Sequence, residues 1–179
     1  QADHPELRSL GERCIVGFGS SGGPPMLNVL YNNNYQIVQS PGYVMIMVEM
    51  NHDARIIRLN SEFNPDNMRR WLGDSVGFWE GNTLVVKTKN HHPQQKFRAA
   101  IRHQILISEG AEITEKFTRV GKNEILYQFE VNDDEAYKDV WKGEMPLRAS
   151  QEKIYEYACH EGNYAMANIL AGARAEEEK

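Results

Sequence analysis

The stretch YQIVQSPGYVMIMVEM, residues 35–50, decides the fold class of this chain. Two runs rich in β-branched and aromatic residues flank the tripeptide Ser-Pro-Gly at 40–42, where Pro and Gly suit a tight turn. The stretch therefore predicts a β-hairpin. A second turn at 51–53 and the run at 54–59 predict a third antiparallel strand directly after it.

The same pattern continues to the end of the chain. Further strands are predicted over residues 75–79, 83–88, 111–120, 124–131, 141–148 and 153–157, with one or two helical turns over 65–71. After Gly162 the apolar residues recur at helical spacing, which predicts one C-terminal helix lying against the sheet. About nine strands joined mostly by tight turns predict a mainly β fold. We expect an antiparallel, lipocalin-like β-barrel or a strongly curved sheet, with a two-sheet sandwich as the alternative.

The first thirty residues differ from the rest of the chain. Glycines and prolines between positions 17 and 25 break any regular element, so residues 1–30 are predicted to form an irregular N-terminal arm. Residues 31–179 are predicted to form a single barrel-like domain with the C-terminal helix. The glycine-rich run GFGSSGG at 17–23 follows no strand, and we interpret it as a flexible arm rather than a nucleotide-binding loop.

Composition narrows the classes of partner. Of the 179 residues, 41% are hydrophobic and 25% are charged, as in compact globular proteins. The formal charge is −5 and no Lys/Arg block forms a stripe, so we expect no nucleic-acid partner. No apolar run approaches the roughly 20 residues that span a bilayer, so we expect no membrane span. A small-molecule substrate or ligand is the expected partner, and an oligomer is possible.

Several sequence blocks together resemble a family of exported bacterial proteins to which no activity is assigned. The blocks are LGERC at 10–14, YNNNYQIVQ at 31–39, HDARII at 52–57, WLGDS at 71–75, WEGNTLVV at 79–86 and the terminus from Tyr155 to Arg174. Between Asn90 and Glu112 the sequence departs from the family pattern. The resemblance implies export, hence a periplasmic or secreted protein, and we expect a segment upstream of Gln1 to have been removed. It implies no activity.

The cysteines are relevant to the cellular compartment in which this protein resides. Cys14 and Cys159 are the only two. From the residues alone, they are compatible with one disulfide in an exported protein or with two buried thiols in a cytosolic one. The family resemblance, through export, favours the Cys14–Cys159 disulfide.

One candidate catalytic group lies where two predicted strands meet. His52 and Asp53 form a possible general base, because a neighbouring carboxylate orients the imidazole and raises its basicity. Arg55 follows as a candidate substrate-binding residue. The alternative is a tight turn in which Asp53 accepts backbone N–H bonds and Arg55 pairs with an acid across the sheet.

A second candidate group precedes the helix. His160, with Tyr157 and Tyr164 nearby in sequence, could run a β-elimination in which one group removes a proton and the other donates one. Glu161 and Asn163 are candidate substrate-binding residues. In the alternative, Glu161 and Asn163 cap the helix and His160 is a satisfied core histidine.

Uncharged polar groups complete the predicted site. Tyr31 precedes three consecutive amides, Asn32, Asn33 and Asn34, which suit sugar hydroxyls or an oxyanion but also suit an ordinary turn. Trp71 is a further candidate for ligand contact. No cofactor is expected, and no spacing of His, Asp or Glu supports a metal site strongly.

Three functions are compatible with these features. The first is an exported lyase or hydrolase acting on a small polar, sugar-like or aromatic substrate, with His52 and His160 converging in a barrel-mouth pocket. The second is a non-catalytic small-molecule-binding barrel, which requires an apolar cavity with only peripheral polar groups. The third is a subunit of a larger extracytoplasmic assembly.

Overall fold

The structure is a computed structural model that describes residues 4–100 and 103–177. The ends of the predicted arm (residues 1–3) and of the acidic tail (Glu178 and Lys179) lie outside the described residues. The strands are β1 Tyr35–Ser40, β2 Tyr43–Val48, β3 Ala54–Leu59, β4 Asp74–Glu80, β5 Thr83–Lys89, β6 Phe97–Ala100, β7 His103–Leu106, β8 Glu112–Gly121, β9 Glu124–Asn132 and β10 Trp141–Arg148. Helix α1 spans Tyr164–Glu177, and 3₁₀ turns occur at Pro5–Leu7, Met50–His52 and Pro93–Gln95.

Eight strands form one strongly curved sheet in the order β1-β2-β3-β4-β5-β8-β9-β10. The sheet curls into a half-barrel in which β1 and β10 are the two edges, so the barrel is not closed. The strongly curved sheet predicted from the sequence is therefore confirmed. β6 and β7 form a separate two-stranded sheet, and Ala99 of β6 also makes a parallel bridge to Gly19. The core lies on the concave side of the large sheet.

The sheet is mixed, because β3 and β4 run parallel through the pairs Ile57↔Ser75 and Leu59↔Gly77. All its other pairings are antiparallel. Parallel neighbours need a long crossover connection, and residues 60–73 supply it. The prediction of successive antiparallel strands is therefore wrong at this one junction.

Two other local predictions are wrong. The predicted helical turns at 65–71 are a single turn closed by a bond from the Met68 N–H to the Pro65 oxygen, 2.8 Å. Residues 153–157 belong to no strand, and instead of pairing they are tethered by bonds to side chains after β2. Neither β6 nor β7 was predicted, because the run 97–106 is interrupted by charged and amide residues.

The glycine-rich segment is not a flexible arm, since residues 19–26 are buried. The Ser20 N–H bonds to the Ala99 oxygen at 2.8 Å, and the Met26 N–H bonds to the Tyr127 hydroxyl at 2.8 Å. A Cβ added to Gly19 would lie 2.1 Å from a Val29 methyl, so only glycine permits this close approach. The segment fills one end of the concave side, and its irregular backbone is satisfied by specific partners.

The two ends of the chain are joined by the Cys14–Cys159 disulfide, with a Cα–Cα distance of 5.7 Å. Asn163 caps α1, because its Oδ1 accepts a bond from the Met166 N–H at 3.3 Å. The expectation that α1 lies against the sheet is wrong, since none of its residues is buried. Among the described residues, no helix is long and apolar enough to cross a membrane.

Candidate functional site

A large cavity of about 1,200 Å³ lies on the concave side of the half-barrel. It lies toward the turns that join β1 to β2, β4 to β5 and β8 to β9, and residues 149–154 after β10 form part of its wall. The floor is built from inward-facing apolar residues of six strands: Tyr35, Ile37, Ile46, Leu84, Phe117, Ile125, Met145 and Leu147. Strand alternation sends these side chains inward, so the sheet itself provides an apolar surface.

The rim of this cavity is polar. It carries the amides Asn28, Asn33, Asn34, Gln36, Gln39, Asn82 and Asn123, and the charged residues Arg119, Lys122, Glu124, Arg148, Glu152 and Lys153. The two carboxylates are outnumbered by the four cations, so the rim carries a small positive excess. Among the side chains that the structure describes, no histidine lines this cavity. An apolar floor beneath a few hydrogen-bonding groups is the usual composition of a small-molecule site.

The predicted amide run contributes to this rim only in part. The Asn33 side chain bonds to both the N–H and the oxygen of Val29, each at 2.8 Å, and Asn34 donates to the Glu49 carboxylate at 2.8 Å. Asn32 has a positive φ of 55° and lines neither of the two cavities described here. The three amides therefore fix the approach to β1, and Asn33 and Asn34 also reach the cavity wall.

His52 and Tyr157 meet, but through a backbone bond. The Tyr157 N–H donates to Nε2 of His52 at 2.8 Å, which requires that nitrogen to be unprotonated. Burial raises the pKa of the Tyr157 hydroxyl to about 12, and a hydrogen bond with Tyr31 adds to the rise. This contact holds the segment after β10 against the turn after β2.

The remaining residues of the second predicted group lie on the surface. His160, Glu161 and Tyr164 are exposed, and none of them lines either cavity. Asn163 caps the helix and also donates to the Glu12 oxygen at 2.7 Å. The structure therefore does not bring these four residues to a cavity, and their predicted role in catalysis or substrate binding stays a prediction.

A second cavity of about 580 Å³ brings three predicted residues together, Asp53, Arg55 and Trp71. It lies between the N-terminal arm, the start of β3 and residues 69–75, and it also includes His92. Trp71 stacks on His92 with ring centroids 3.9 Å apart. Burial raises the pKa of Asp53 to about 6, against the opposing effect of a 2.7 Å bond from the Gly17 N–H.

A buried polar network lies at the inner end of the sheet, and it was not predicted as a unit. Arg55 and Glu115 are joined by two bonds of 2.6 and 2.9 Å, and the Tyr127 hydroxyl donates to Glu115 at 2.8 Å. All three side chains are buried. The strand pattern contained a signal for Glu115, because it occupies an inward position between Ile113 and Phe117. The network fits the alternative in which Arg55 pairs with an acid across the sheet.

Two further basic groups are buried near this network. Burial lowers the pKa of Arg98 to about 9, and the positive charge of Arg55 adds to the decrease. Arg98 donates to the Pro24 oxygen at 2.5 Å, so it holds the buried N-terminal segment. Burial also lowers the pKa of His91 well below its ordinary value, so His91 is neutral. Neither group lines either cavity, and neither ring nitrogen of His91 has a hydrogen-bond partner among the described residues.

Within the described ranges, no group of three or more His, Cys, Asp or Glu side chains is arranged to hold a metal ion. A scan with protein-family models, a search of curated proteins and a search of solved structures found no match to this chain. The two cavities and their chemistry are therefore the features of this protein that bear on its function.

Proposed function

We propose that this protein is a non-catalytic binding protein that holds an amphipathic small molecule in the large cavity of its half-barrel. The apolar body of the ligand lies on the floor, and a polar head, uncharged or acidic, lies at the rim. The observation that carries this proposal is the combination of an apolar floor with peripheral amides and a small excess of positive charge.

The floor and the rim have different roles in binding. Burying apolar ligand surface contributes roughly 25 cal/mol per Å², so the floor supplies most of the affinity. The rim amides donate to and accept from hydroxyl or carbonyl groups, which fixes the orientation of the head. The four cations at the rim favour an acidic head over a basic one.

The cavity chemistry favours binding over acid–base catalysis. No histidine with a described side chain lines the cavity, and His52 uses Nε2 to accept a backbone N–H. The lyase or hydrolase hypothesis remains a separate prediction, and it requires turnover that His52→Ala and His160→Ala each abolish while the fold persists.

The proposed location is the periplasm or the exterior of the cell. The Cys14–Cys159 disulfide suggests an oxidising compartment, where such bonds form and persist. In that setting a half-barrel with an apolar groove serves to capture or carry a poorly soluble molecule.

The test compares two substitutions on neighbouring residues of β1. Ile37 is partly buried and faces the cavity floor, whereas Val38 is exposed on the opposite face of the same strand. Binding of the fluorescent probe 8-anilinonaphthalene-1-sulfonate is measured, followed by its displacement with dodecanoate and dodecyl maltoside below their micelle concentrations. Ile37→Lys is expected to weaken binding at least about tenfold, because it places a charge in the apolar floor.

The matched control is Val38→Lys, which adds the same charge outside the cavity and is expected to change affinity less than about twofold. Thermal unfolding of both variants checks that the sheet persists. Equal effects of the two substitutions, or no saturable binding of the probe and both amphiphiles, would contradict the proposal.

A further inference from the structure

The second cavity has a chemistry of its own and is independent of the proposed binding groove. Its wall includes three arginines from two parts of the chain, Arg55, Arg69 and Arg70. Asp53 is the one carboxylate among its lining residues. Its volume of about 580 Å³ lies within the range of small-ligand sites.

The charges of the arginines are balanced to different extents. Arg55 is fully paired with Glu115 through two bonds. Arg69 lies 3.5 Å from the exposed Glu109 carboxylate, a weak contact at a protein surface. In the described part of the chain, Arg70 has no carboxylate within 4 Å.

Arg69 is held by hydrogen bonds, whereas the Arg70 side chain is exposed. The Arg69 guanidinium donates to the backbone oxygen of Glu109 at 2.9 Å and to the backbone oxygen of His91 at 3.3 Å, so its orientation is fixed. Arg70 is exposed at the edge of the same cavity. A guanidinium of fixed orientation and a second, exposed one without a carboxylate partner among the described residues together suit a carboxylate, which accepts bonds from both.

The indole of Trp71 determines which group the ligand carries besides its anion. Trp71 is only partly buried, and it lines the cavity while it stacks on His92. This contact orients the indole and leaves part of its surface to the cavity. A flat ring attached to an anion would pack against the indole, as aromatic and sugar rings do.

We infer that the second cavity binds a small ring-bearing monocarboxylate, with the carboxylate between Arg69 and Arg70 and the ring against Trp71. A monoanion fits better than a phosphate dianion, because Asp53 faces the same cavity and repels a second negative charge. The site is built by residues 69–75 packed against the N-terminal arm and β3.

The experiment is isothermal titration calorimetry of the full chain at pH 7 with benzoate, its neutral isostere benzamide, and inorganic phosphate. Benzoate is expected to bind at one site, and benzamide and phosphate at least about tenfold more weakly. Arg70→Gln is expected to weaken benzoate at least about tenfold. Asp53→Asn removes the carboxylate that lines the wall and is expected to tighten benzoate by about two- to fivefold.

Arg174→Gln is the matched control, because Arg174 is an exposed arginine of α1 that lines neither cavity. It is expected to leave benzoate affinity within about twofold of the unmodified protein. Arg70 is exposed, so its substitution leaves the core intact, and thermal unfolding verifies this. Failure of benzoate to bind, equal affinity for benzamide, tighter binding of phosphate, or equal effects of Arg70→Gln and Arg174→Gln would each overturn the inference.

Discussion

The buried Arg55–Glu115 pair gives a sharp test of how the interior is held together. Arg55 is 3% exposed and Glu115 is inaccessible to solvent, and their two bonds measure 2.6 and 2.9 Å. Removing one partner of such a pair leaves an uncompensated buried charge, which typically costs 3–5 kcal/mol. We therefore expect Arg55→Met and Glu115→Gln each to lower the free energy of unfolding by about 3–5 kcal/mol, a large part of the total for a typical domain.

The double variant distinguishes the interaction between Arg55 and Glu115 from the contacts that each makes with other residues. In Arg55→Met with Glu115→Gln, neither residue of the pair carries a charge, and the glutamine oxygen still accepts the bond from the Tyr127 hydroxyl. The double variant is therefore expected to lose less stability than the sum of the singles by about 2 kcal/mol or more.

The assay is urea unfolding at pH 7, followed by circular dichroism. The exposed pair Arg148–Glu124 serves as the control, and its substitutions by Met and Gln are expected to cost less than about 1 kcal/mol. Single variants of the buried pair that cost less than about 1 kcal/mol, or strictly additive effects, would refute the reasoning.

Two further predictions concern the N-terminal arm. Replacing Cys14 and Cys159 by serine opens a loop with a sequence separation of 145. The chain-entropy relation predicts that this lowers the free energy of unfolding by up to about 5 kcal/mol. Urea unfolding with and without reductant measures the decrease, and a decrease below about 1 kcal/mol would contradict the prediction. The pKa of Asp53 is raised to about 6 by burial, so its protonated form stabilises the fold below the ordinary value of 3.8, and that contribution is lost as the pH rises through 6. Asp53→Asn keeps an acceptor for the Gly17 N–H. At 1.36 kcal/mol for each pKa unit, we expect it to raise the free energy of unfolding by about 2–3 kcal/mol at pH 8 and by little at pH 3.5. If the free energies of unfolding of the two proteins ran parallel over this pH range, the prediction would be wrong.

Much of the sheet could be predicted because strand signals are local. The Ser-Pro-Gly turn and the alternation in residues 35–50 predicted β1 and β2, and the pattern after Glu112 predicted β8 and β9. The parallel pairing of β3 with β4 was missed, because strand direction depends on the path of residues 60–73 and not on a local pattern.

The N-terminal segment shows a second limit of prediction from the sequence. A glycine- and proline-rich run predicts irregular backbone, which the structure has, but the burial of residues 19–26 depends on distant partners such as Tyr127 and Arg98. Hydrogen bonds over such sequence separations leave no periodic signal. For the same reason residues 153–157 have the composition of a strand but bond to side chains rather than to a neighbouring strand.

The candidate sites were predicted only in part. Asp53, Arg55 and Trp71 were singled out individually, and the structure brings them to one cavity. The large cavity was not predicted residue by residue, because its floor consists of ordinary inward-facing apolar side chains. Only the curvature of the sheet and the incomplete filling of its concave side distinguish a ligand cavity from a packed core.

The most direct test of the binding proposal uses the positions of two tryptophans. Trp79 lines the large cavity and Trp71 lines the second one. Titration with dodecanoate below its micelle concentration is followed by tryptophan emission in the unmodified protein, Trp79→Phe and Trp71→Phe. The proposal predicts a saturable spectral change that Trp79→Phe abolishes and Trp71→Phe preserves. A change that persists in Trp79→Phe and disappears in Trp71→Phe, or no saturable change in any of the three proteins, would contradict it.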